Sequence, residues 1–93
     1  MDTLDDTTID RHLTDLDGWE RDGDALRRTV ECDGFRAAID LINRIADEAD
    51  AADHHPELTN VYATVGIRLT SHDAGGITER DVALARAIDA LVA

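Results

Sequence analysis

Residues 35–70 read FRAAIDLINRIADEADAADHHPELTNVYATVGIRLT, and the spacing of their hydrophobic side chains changes halfway along. In the first half these side chains recur at three- and four-residue steps, which is the spacing along one face of an α-helix. The residues concerned are Phe35, Ala38, Ile39, Ile42, Ile45, Ala46 and Ala49. The pattern predicts an amphipathic helix of about 17 residues, and it is the strongest structural signal in the chain.

The only proline of the chain limits this helix. Pro56 disfavours helical geometry at the preceding His55, so the helix must end before or near the pair His54-His55. Beyond the proline, residues 61–70 alternate between apolar and other side chains, which is the period of a β-strand with one buried face. A bend near residues 62–64 would divide this run into the two strands of a hairpin.

The segment before the central stretch predicts a short helix and a second hairpin. Apolar residues at helical spacing between positions 9 and 16 indicate the helix, with Thr7 or Thr8 as its cap. The pair Asp22-Gly23 lies between two extended segments and suits the positive φ angles of a tight turn. This segment therefore adds one helix and two strands.

Residues 78–93 predict the last helix. Thr78 and Asp81 have the spacing of a capping box, in which each side chain bonds to the backbone N–H of the other residue. The apolar face of this helix consists of Leu84, Ala85, Ile88, Leu91 and Val92. The complete order is α-β-β-α-β-β-α, which predicts an α+β fold with a four-stranded antiparallel sheet and three helices packed on one face. We expect one domain over residues 1–93.

Acidic residues dominate the charge of the chain. There are 21 Asp and Glu residues against nine basic residues, all of them Arg, and the formal net charge is −12. Such a field repels nucleic acid and anionic membrane surfaces, so we expect neither as a partner. The dispersed acid and the absence of lysine are typical of adaptation to a salty cytoplasm, where charge repulsion is screened within about 3 Å at molar ionic strength.

Chain length and cysteine content indicate where the protein works and how it assembles. Cys32 is the only cysteine and cannot form an internal disulfide, and the first residues lack the basic and apolar regions of a leader, so we expect a cytoplasmic protein. No stretch approaches the roughly 18 apolar residues of a membrane span. A chain of 93 residues has a thin core, which favours a homo-oligomer, either a dimer or a tetramer.

Three histidines and one aspartate are the candidates for chemistry: His54, His55, His72 and Asp81. A zinc site is one interpretation, but adjacent residues of an extended chain point to opposite sides, so only one histidine of the pair could join His72 and Asp81. A second interpretation is solvated loop histidines, with Asp81 merely closing its capping box. The third is acid/base catalysis, because imidazole titrates at about pH 6.5. Composition does not separate the last two.

The segment from residue 50 to residue 81 resembles the pterin-4a-carbinolamine dehydratases. The resemblance rests on residues at set spacings: Asp50, then after three residues His54-His55-Pro56, then Tyr62 six residues beyond the proline, His72 ten further on and Asp81 nine after that. Upstream, the pair Gly18-Trp19 and the strand that leads into the central helix also follow the family's outline. The resemblance therefore covers nearly the whole chain.

The resemblance implies an activity and a role for each histidine. The family dehydrates a 4a-hydroxytetrahydropterin to the quinonoid dihydropterin, so the pterin is the substrate and no metal or other cofactor is implied. His54 and His72 would transfer protons at the C4a oxygen and at N5, and His55 would bind and orient the substrate. Asp81 would orient or polarise a histidine, or accept a hydrogen bond from the pterin.

The remaining residues of the pattern would have supporting roles. By resemblance, Asp50, Pro56 and Tyr62 would bind the substrate or shape the site, and association through sheets and helices would again give a homo-oligomer. Two alternatives stay open: a non-catalytic pterin-binding or regulatory module, and a related role in molybdopterin metabolism. The intact pattern favours an enzyme, because a scaffold has no need for three histidines and an aspartate at these positions.

Overall fold

The structure is a computed structural model that describes residues 2–92. Its helices and strands follow one another in the order α-β-β-α-β-β-α, which confirms the predicted fold class. The elements are α1 (Asp6–Leu13), β1 (Trp19–Asp22), β2 (Ala25–Glu31), α2 (Phe35–Ala52), β3 (Glu57–Val61), β4 (Thr64–Leu69) and α3 (Glu79–Val92). Among these helices, none combines the length and the apolar character needed to cross a membrane.

The four strands form one antiparallel sheet in the order β1-β2-β4-β3. Strands β3 and β4 are the predicted hairpin, with Glu57 opposite Arg68 and Val61 opposite Thr64. The chain reverses at residues 62–63, within the predicted bend. As a result, the residues just before β3 and just after β4 lie at the same end of the sheet, and this end receives the histidines.

The core lies between one face of the sheet and the helices. Along β4, Val65, Ile67 and Leu69 are buried and alternate with half-buried residues. Strand β2 and the helices complete the core with Ile9, Leu26, Ala38, Leu41, Ile45, Val82, Leu84, Ala85 and Ile88. Each buried Leu or Ile side chain contributes about 1.5–3 kcal/mol to folding, so this layer is the main source of stability.

The hairpin turn changes which residues of the predicted alternation are buried. Val61 was expected to share the buried face of Val65, but its side chain is 76% exposed. Because Val61 pairs with Thr64, it lies on the sheet face opposite Val65. The alternation is therefore confirmed along β4 and wrong for Val61, since the two-residue turn shifts its phase.

Helix α2 buries part of the predicted row of side chains and one residue outside it. The buried residues are Ala38, Leu41, Ile45 and Ala49. Phe35 is 48% exposed, and Ala46 is also exposed. The helix carries two parallel apolar rows, roughly a quarter turn apart at 3.6 residues per turn. The predicted extent of the helix is right, and Ala38, Ile45 and Ala49 are buried as predicted. The buried face is turned toward Leu41 and away from Phe35 and Ala46.

Helix α1 begins at a different cap from the one predicted. Asp5 is the N-cap, and its carboxylate accepts a hydrogen bond from the Thr8 N–H at 2.8 Å. This hydrogen bond holds the pKa of Asp5 below its usual range. Aspartate is a better N-cap than threonine, which explains why Thr7 and Thr8 lie inside the helix instead. The helix ends at Leu13, so Leu16 is buried beyond it.

Both ends of α3 are tied to neighbouring parts of the molecule. Near its C-terminus, Asp89 accepts hydrogen bonds from the Trp19 indole N–H, at 2.6 Å, and from the Arg28 guanidinium. Near its N-terminus, Asp81 is fully buried. These contacts fix the rotation of α3 against the sheet, and with it the direction of the Asp81 carboxylate.

Candidate active site

The histidine pair follows a left-handed turn at the end of α2. Asp53 has φ 48° and ψ 43°, a conformation that aspartate tolerates better than most residues with a side chain. The N–H of His54 donates to the Ala49 carbonyl at 3.1 Å, and the N–H of Asp53 donates to the Asp50 carbonyl at 3.2 Å. These are the paired hydrogen bonds of a Schellman turn. The helix thus ends before the histidines, as predicted, and His54 enters the protein interior.

His54 is a buried histidine held by a buried carboxylate. Its Nε2 lies 2.6 Å from Oδ1 of Asp81. The side chain of His54 is 9% exposed and that of Asp81 is 0% exposed. Within residues 2–92, Nδ1 of His54 makes no hydrogen bond. It is also not one of the fully buried nitrogens without a partner, which belong to Arg28 and Arg80. One edge of the imidazole is therefore fixed, and the other has access to solvent.

Asp81 uses its two carboxylate oxygens for different purposes. Oδ1 contacts His54, and Oδ2 accepts hydrogen bonds from the Thr78 N–H and the Ser71 hydroxyl, each at 2.9 Å. The Thr78 hydroxyl accepts from the N–H of Arg80 at 3.2 Å. The Asp81 half of the predicted capping box is therefore present, and the Thr78 hydroxyl bonds to Arg80 instead of to Asp81. A buried carboxylate needs this many donors to offset its lost hydration. Asp81 therefore caps α3 and holds His54 at the same time.

His55 lies on the outside of the protein. Its Nε2 is 2.9 Å from Oδ1 of Asp50, and these side chains are 62% and 78% exposed. Pro56 is half-buried, and β3 begins at the next residue. The two adjacent imidazoles therefore diverge and pair with different carboxylates, one from α3 and one from the last turn of α2.

His72 lies in a tight loop after β4. Backbone hydrogen bonds of 3.0 and 3.2 Å join Ser71 and Gly76 and close this loop. His72 is exposed and lines an open cavity of about 230 Å³. The preceding residue, Ser71, contacts Asp81, so His72 lies at the same end of the sheet as His54. The hairpin thus returns the chain to the histidine pair, as the bend near residues 62–64 predicts.

An ion pair ties the His72 loop to α3. The Arg80 guanidinium donates a hydrogen bond to Oδ1 of Asp73. This hydrogen bond holds the pKa of Asp73 below its usual range and raises the pKa of Arg80. Asp73 follows His72 in sequence and Arg80 precedes Asp81, so the pair joins the two segments that carry these site residues.

Tyr62 lies far from the histidines. It is part of the turn between β3 and β4, has φ 48° and is 72% exposed. The five residues of β3 separate it from Pro56, a distance of roughly 20 Å at the rise of a β-strand. Within one chain, the structure brings together His54, His55, His72, Asp50, Pro56 and Asp81 at one end of the sheet. Tyr62 is at the other end.

Ser71 is the residue that sequence reasoning missed. It is 0% exposed and donates to the one carboxylate that holds His54, yet it is not among the site residues expected from the sequence. Its signal is weak but physical: a buried aspartate needs donors, and a hydroxyl side chain stands beside His72 in the loop that precedes Asp81. Thr78, which the sequence predicts as a capping residue, is also fully buried and is hydrogen-bonded to Ser71 and Asp81.

These contacts define a class of site. A buried imidazole is fixed through one nitrogen by a hydrogen-bonded carboxylate, and two exposed imidazoles lie at the same end of the sheet. Side chains of these types are able to transfer protons. In the part of the chain that the structure describes, no three His, Cys, Asp or Glu side chains are grouped so that they could hold a metal ion.

Comparison with known proteins identifies the family. Residues 2–91 match the sequence model of a family described as Pterin 4 alpha carbinolamine dehydratase. The chain is 54% identical to a Thermomicrobium roseum protein over 92% of both chains, and 45% identical to a Mycolicibacterium vanbaalenii protein over 99% of both. Both relatives are named, provisionally, as pterin-4-alpha-carbinolamine dehydratases. The chain belongs to the pterin 4 alpha carbinolamine dehydratase family.

A solved structure supports the same assignment. A crystal structure of a Brucella melitensis protein, described as a transcriptional coactivator/pterin dehydratase, matches this chain with a TM-score of 0.95 at 31% sequence identity. The match covers 99% of this chain and 100% of the other. The resemblance that the histidine pattern indicated is therefore confirmed at the level of family and fold.

Proposed function

We propose that this protein is an enzyme, a hydro-lyase that dehydrates a 4a-hydroxytetrahydropterin such as 4a-hydroxytetrahydrobiopterin and so takes part in pterin recycling. The observation that carries the proposal is the state of His54, whose Nε2 is held by the buried Asp81 while Nδ1 has access to solvent. An imidazole with one fixed and one accessible nitrogen is well arranged for proton transfer. Family membership and the names of the relatives supply the substrate class.

The proposed reaction needs two proton transfers and nothing else. The C4a–O bond breaks as its oxygen is protonated, and the N5 lone pair forms the C4a=N5 double bond of the quinonoid product. N5 then loses its proton, so water is released and no oxidant, reductant or metal is required. We assign the two transfers to His54 and His72. A positioned imidazole contributes roughly 10²- to 10⁴-fold to such a rate.

The other residues of the group would position the reactants. His55 is exposed beside the buried pair, so we assign it to binding and orienting the pterin, with Asp50 holding its Nε2. Asp81 orients His54. Pro56 keeps the backbone extended between the helix exit and β3, which separates His54 from His55. The contacts and the family resemblance support these proposed roles.

We also propose that the protein works as a homo-oligomer, a dimer or a tetramer. Among residues 2–92, three large apolar side chains are exposed, Phe35, Val61 and Tyr62. The Cys32 N–H donates to the Ala63 carbonyl at 2.8 Å, which brings the start of α2 beside the hairpin turn, so these side chains lie at one end of the molecule. The cavity at His72, about 230 Å³, is also smaller than the roughly 300 Å³ of a complete ligand pocket.

The oligomer can be tested by sedimentation equilibrium. The wild type should sediment as two or four chains, and Tyr62→Asp should weaken the assembly because it places a charge on the apolar end. Ala83→Asp, on the exposed side of α3, is the matched control and should leave the mass unchanged. A wild type that sediments as a single chain at micromolar concentration would contradict the proposal.

The enzymatic proposal is tested by following dehydration of a chemically prepared 4a-hydroxytetrahydropterin by stopped-flow absorbance. The assay should contain about 1 M salt, because we propose that the acidic surface is adapted to conditions in which its repulsion is screened. The wild type should accelerate dehydration well beyond buffer, and His54→Ala should lower kcat by roughly 10²- to 10⁴-fold.

The control for this experiment is His12→Ala. His12 is the fourth histidine, and its ring contacts Arg86 and Glu79, so its removal should leave kcat within about twofold. If the wild type does no better than buffer, the enzyme proposal fails and a binding module becomes the better account. If His54→Ala and His12→Ala have equal rates, the assignment of His54 fails.

A further inference from the structure

A chain of hydrogen bonds ends on Asp81, and Ser71 is its middle member. The Ser71 hydroxyl oxygen lies 2.9 Å from Oδ2 of Asp81 and 2.9 Å from the Thr78 hydroxyl oxygen. The Arg80 N–H lies 3.2 Å from that Thr78 oxygen. Ser71, Thr78 and Asp81 are all 0% exposed, so water does not compete for these hydrogen bonds.

The direction of each hydrogen bond follows from the number of protons available. A carboxylate only accepts, so the single proton of the Ser71 hydroxyl is donated to Asp81. The contact between the two hydroxyls must then be a donation from Thr78 to Ser71. Thr78 in turn accepts from the Arg80 N–H. All donors therefore point toward Asp81, and hydrogen bonds aligned in this way strengthen one another.

This alignment fixes the carboxylate and, through it, the imidazole. With Oδ2 held by Ser71 and by the Thr78 N–H, the carboxylate presents Oδ1 to His54 in one orientation. Since Oδ1 accepts, the proton of a neutral His54 ring stays on Nε2, and Nδ1 is left with its lone pair toward solvent. The nitrogen available for proton exchange with a substrate is therefore Nδ1.

We propose that Ser71 is a positioning residue for the reaction: through Asp81 it holds His54 in the Nε2–H tautomer and so presents Nδ1 to the pterin. Ser71 does not touch the imidazole itself, and its effect is carried entirely by the shared carboxylate. The part of this inference that concerns the reaction rests on the proposed dehydratase function. The part that concerns the tautomer does not.

The test combines kinetics with imidazole NMR on Ser71→Ala, Ser71→Thr and the control Thr64→Ala. The Thr64 hydroxyl contacts Glu31 near the hairpin turn, far from the histidines. Two-bond ¹H–¹⁵N spectra at a fixed pH report which ring nitrogen of His54 carries the proton. Melting temperatures confirm that each variant is folded, and Thr78→Val, which removes the hydroxyl that donates to Ser71, serves if Ser71→Ala does not fold.

In the wild type and in Thr64→Ala, His54 should give the Nε2–H pattern, and Ser71→Ala should give a mixture of tautomers. The kcat of Ser71→Ala should fall roughly tenfold, as expected when a hydrogen bond to a charged group is lost, with KM within about twofold. Ser71→Thr keeps the donor and should restore both. Unchanged tautomer and kcat in a less stable Ser71→Ala would overturn the proposal. A wild type without activity would refute the dehydratase function, and the NMR pattern would still decide whether Ser71 orients His54.

Discussion

Two histidine–aspartate pairs stand next to each other in this protein and differ in almost everything except their chemistry. His54 and Asp81 are 9% and 0% exposed with a nitrogen–oxygen distance of 2.6 Å, and His55 and Asp50 are 62% and 78% exposed with a distance of 2.9 Å. Exposed pairs contribute at most about 1 kcal/mol to stability, because water competes for both partners. In a buried pair, removal of one partner leaves the other without compensation.

The comparison shows that two adjacent histidines can have two different environments. The left-handed turn at Asp53 sends His54 inward to a carboxylate with three hydrogen bonds, and the extended chain at Pro56 leaves His55 outside. The buried imidazole is constrained to one orientation, which suits proton transfer. The exposed imidazole can adjust to a ligand, which suits binding.

The largest expected effect is on stability, when the two aspartates are removed in turn. Asp81→Ala should lower the free energy of unfolding by about 3–5 kcal/mol, because it leaves His54, the Ser71 hydroxyl and the Thr78 N–H buried without a partner. Asp50→Ala should lower it by less than about 1 kcal/mol. Urea unfolding followed by circular dichroism measures both values. Similar values for the two variants would show that burial does not distinguish the pairs.

A smaller effect is expected when the exposed histidine is removed. His55→Ala should raise KM for the pterin by roughly tenfold and lower kcat by much less, because His55 is assigned to binding. Its melting temperature should match that of the wild type, since the ring makes only an exposed contact. Steady-state kinetics separates the two constants. If kcat falls as far in His55→Ala as in His54→Ala, the division of roles between the pair is wrong.

The smallest effect concerns a third carboxylate, Asp73, whose pKa is lowered by the hydrogen bond from Arg80. A carboxylate whose pKa is lowered in the folded state stabilises the protein at pH values above the ordinary pKa of 3.8. That stability is lost as the pH falls through the lowered pKa. Asp73→Asn should therefore melt slightly below the wild type at pH 6, and the difference should vanish in acid. Calorimetric scans at several pH values measure it, and a difference that grows in acid would contradict this account.

The sequence predicts most of the fold because its signals are local. The change from helical to strand period, the break at Pro56 and the turn at residues 62–63 lie within a few residues of the elements they determine. The exact rotation of α2 against the sheet was not predictable in this way. Leu41 is buried and Phe35 is exposed because of how α2 packs against distant parts of the chain, and the helical period does not contain that information.

For the candidate site too, the residues could be predicted from local sequence and their tertiary contacts could not. The histidines and Asp81 could be named from their residue types, and Asp50 from the family resemblance. The hairpin explains how His72 returns to the pair. The burial of His54 depends on the left-handed Asp53, a conformation that no local rule requires of aspartate. Ser71 and Asp81 meet only through tertiary packing. Tyr62 lies in the hairpin turn that the sequence predicts, so its distance from the histidines within one chain follows from that prediction.

The most direct test of the central claim, that Asp81 makes His54 the proton-transferring group, is the rate of dehydration in Asp81→Asn beside Asp50→Asn. Both substitutions keep side-chain size and remove one acceptor charge. The account predicts that kcat falls by at least about 10²-fold in Asp81→Asn and stays within about threefold of wild type in Asp50→Asn. Equal kcat values for the two variants would contradict it.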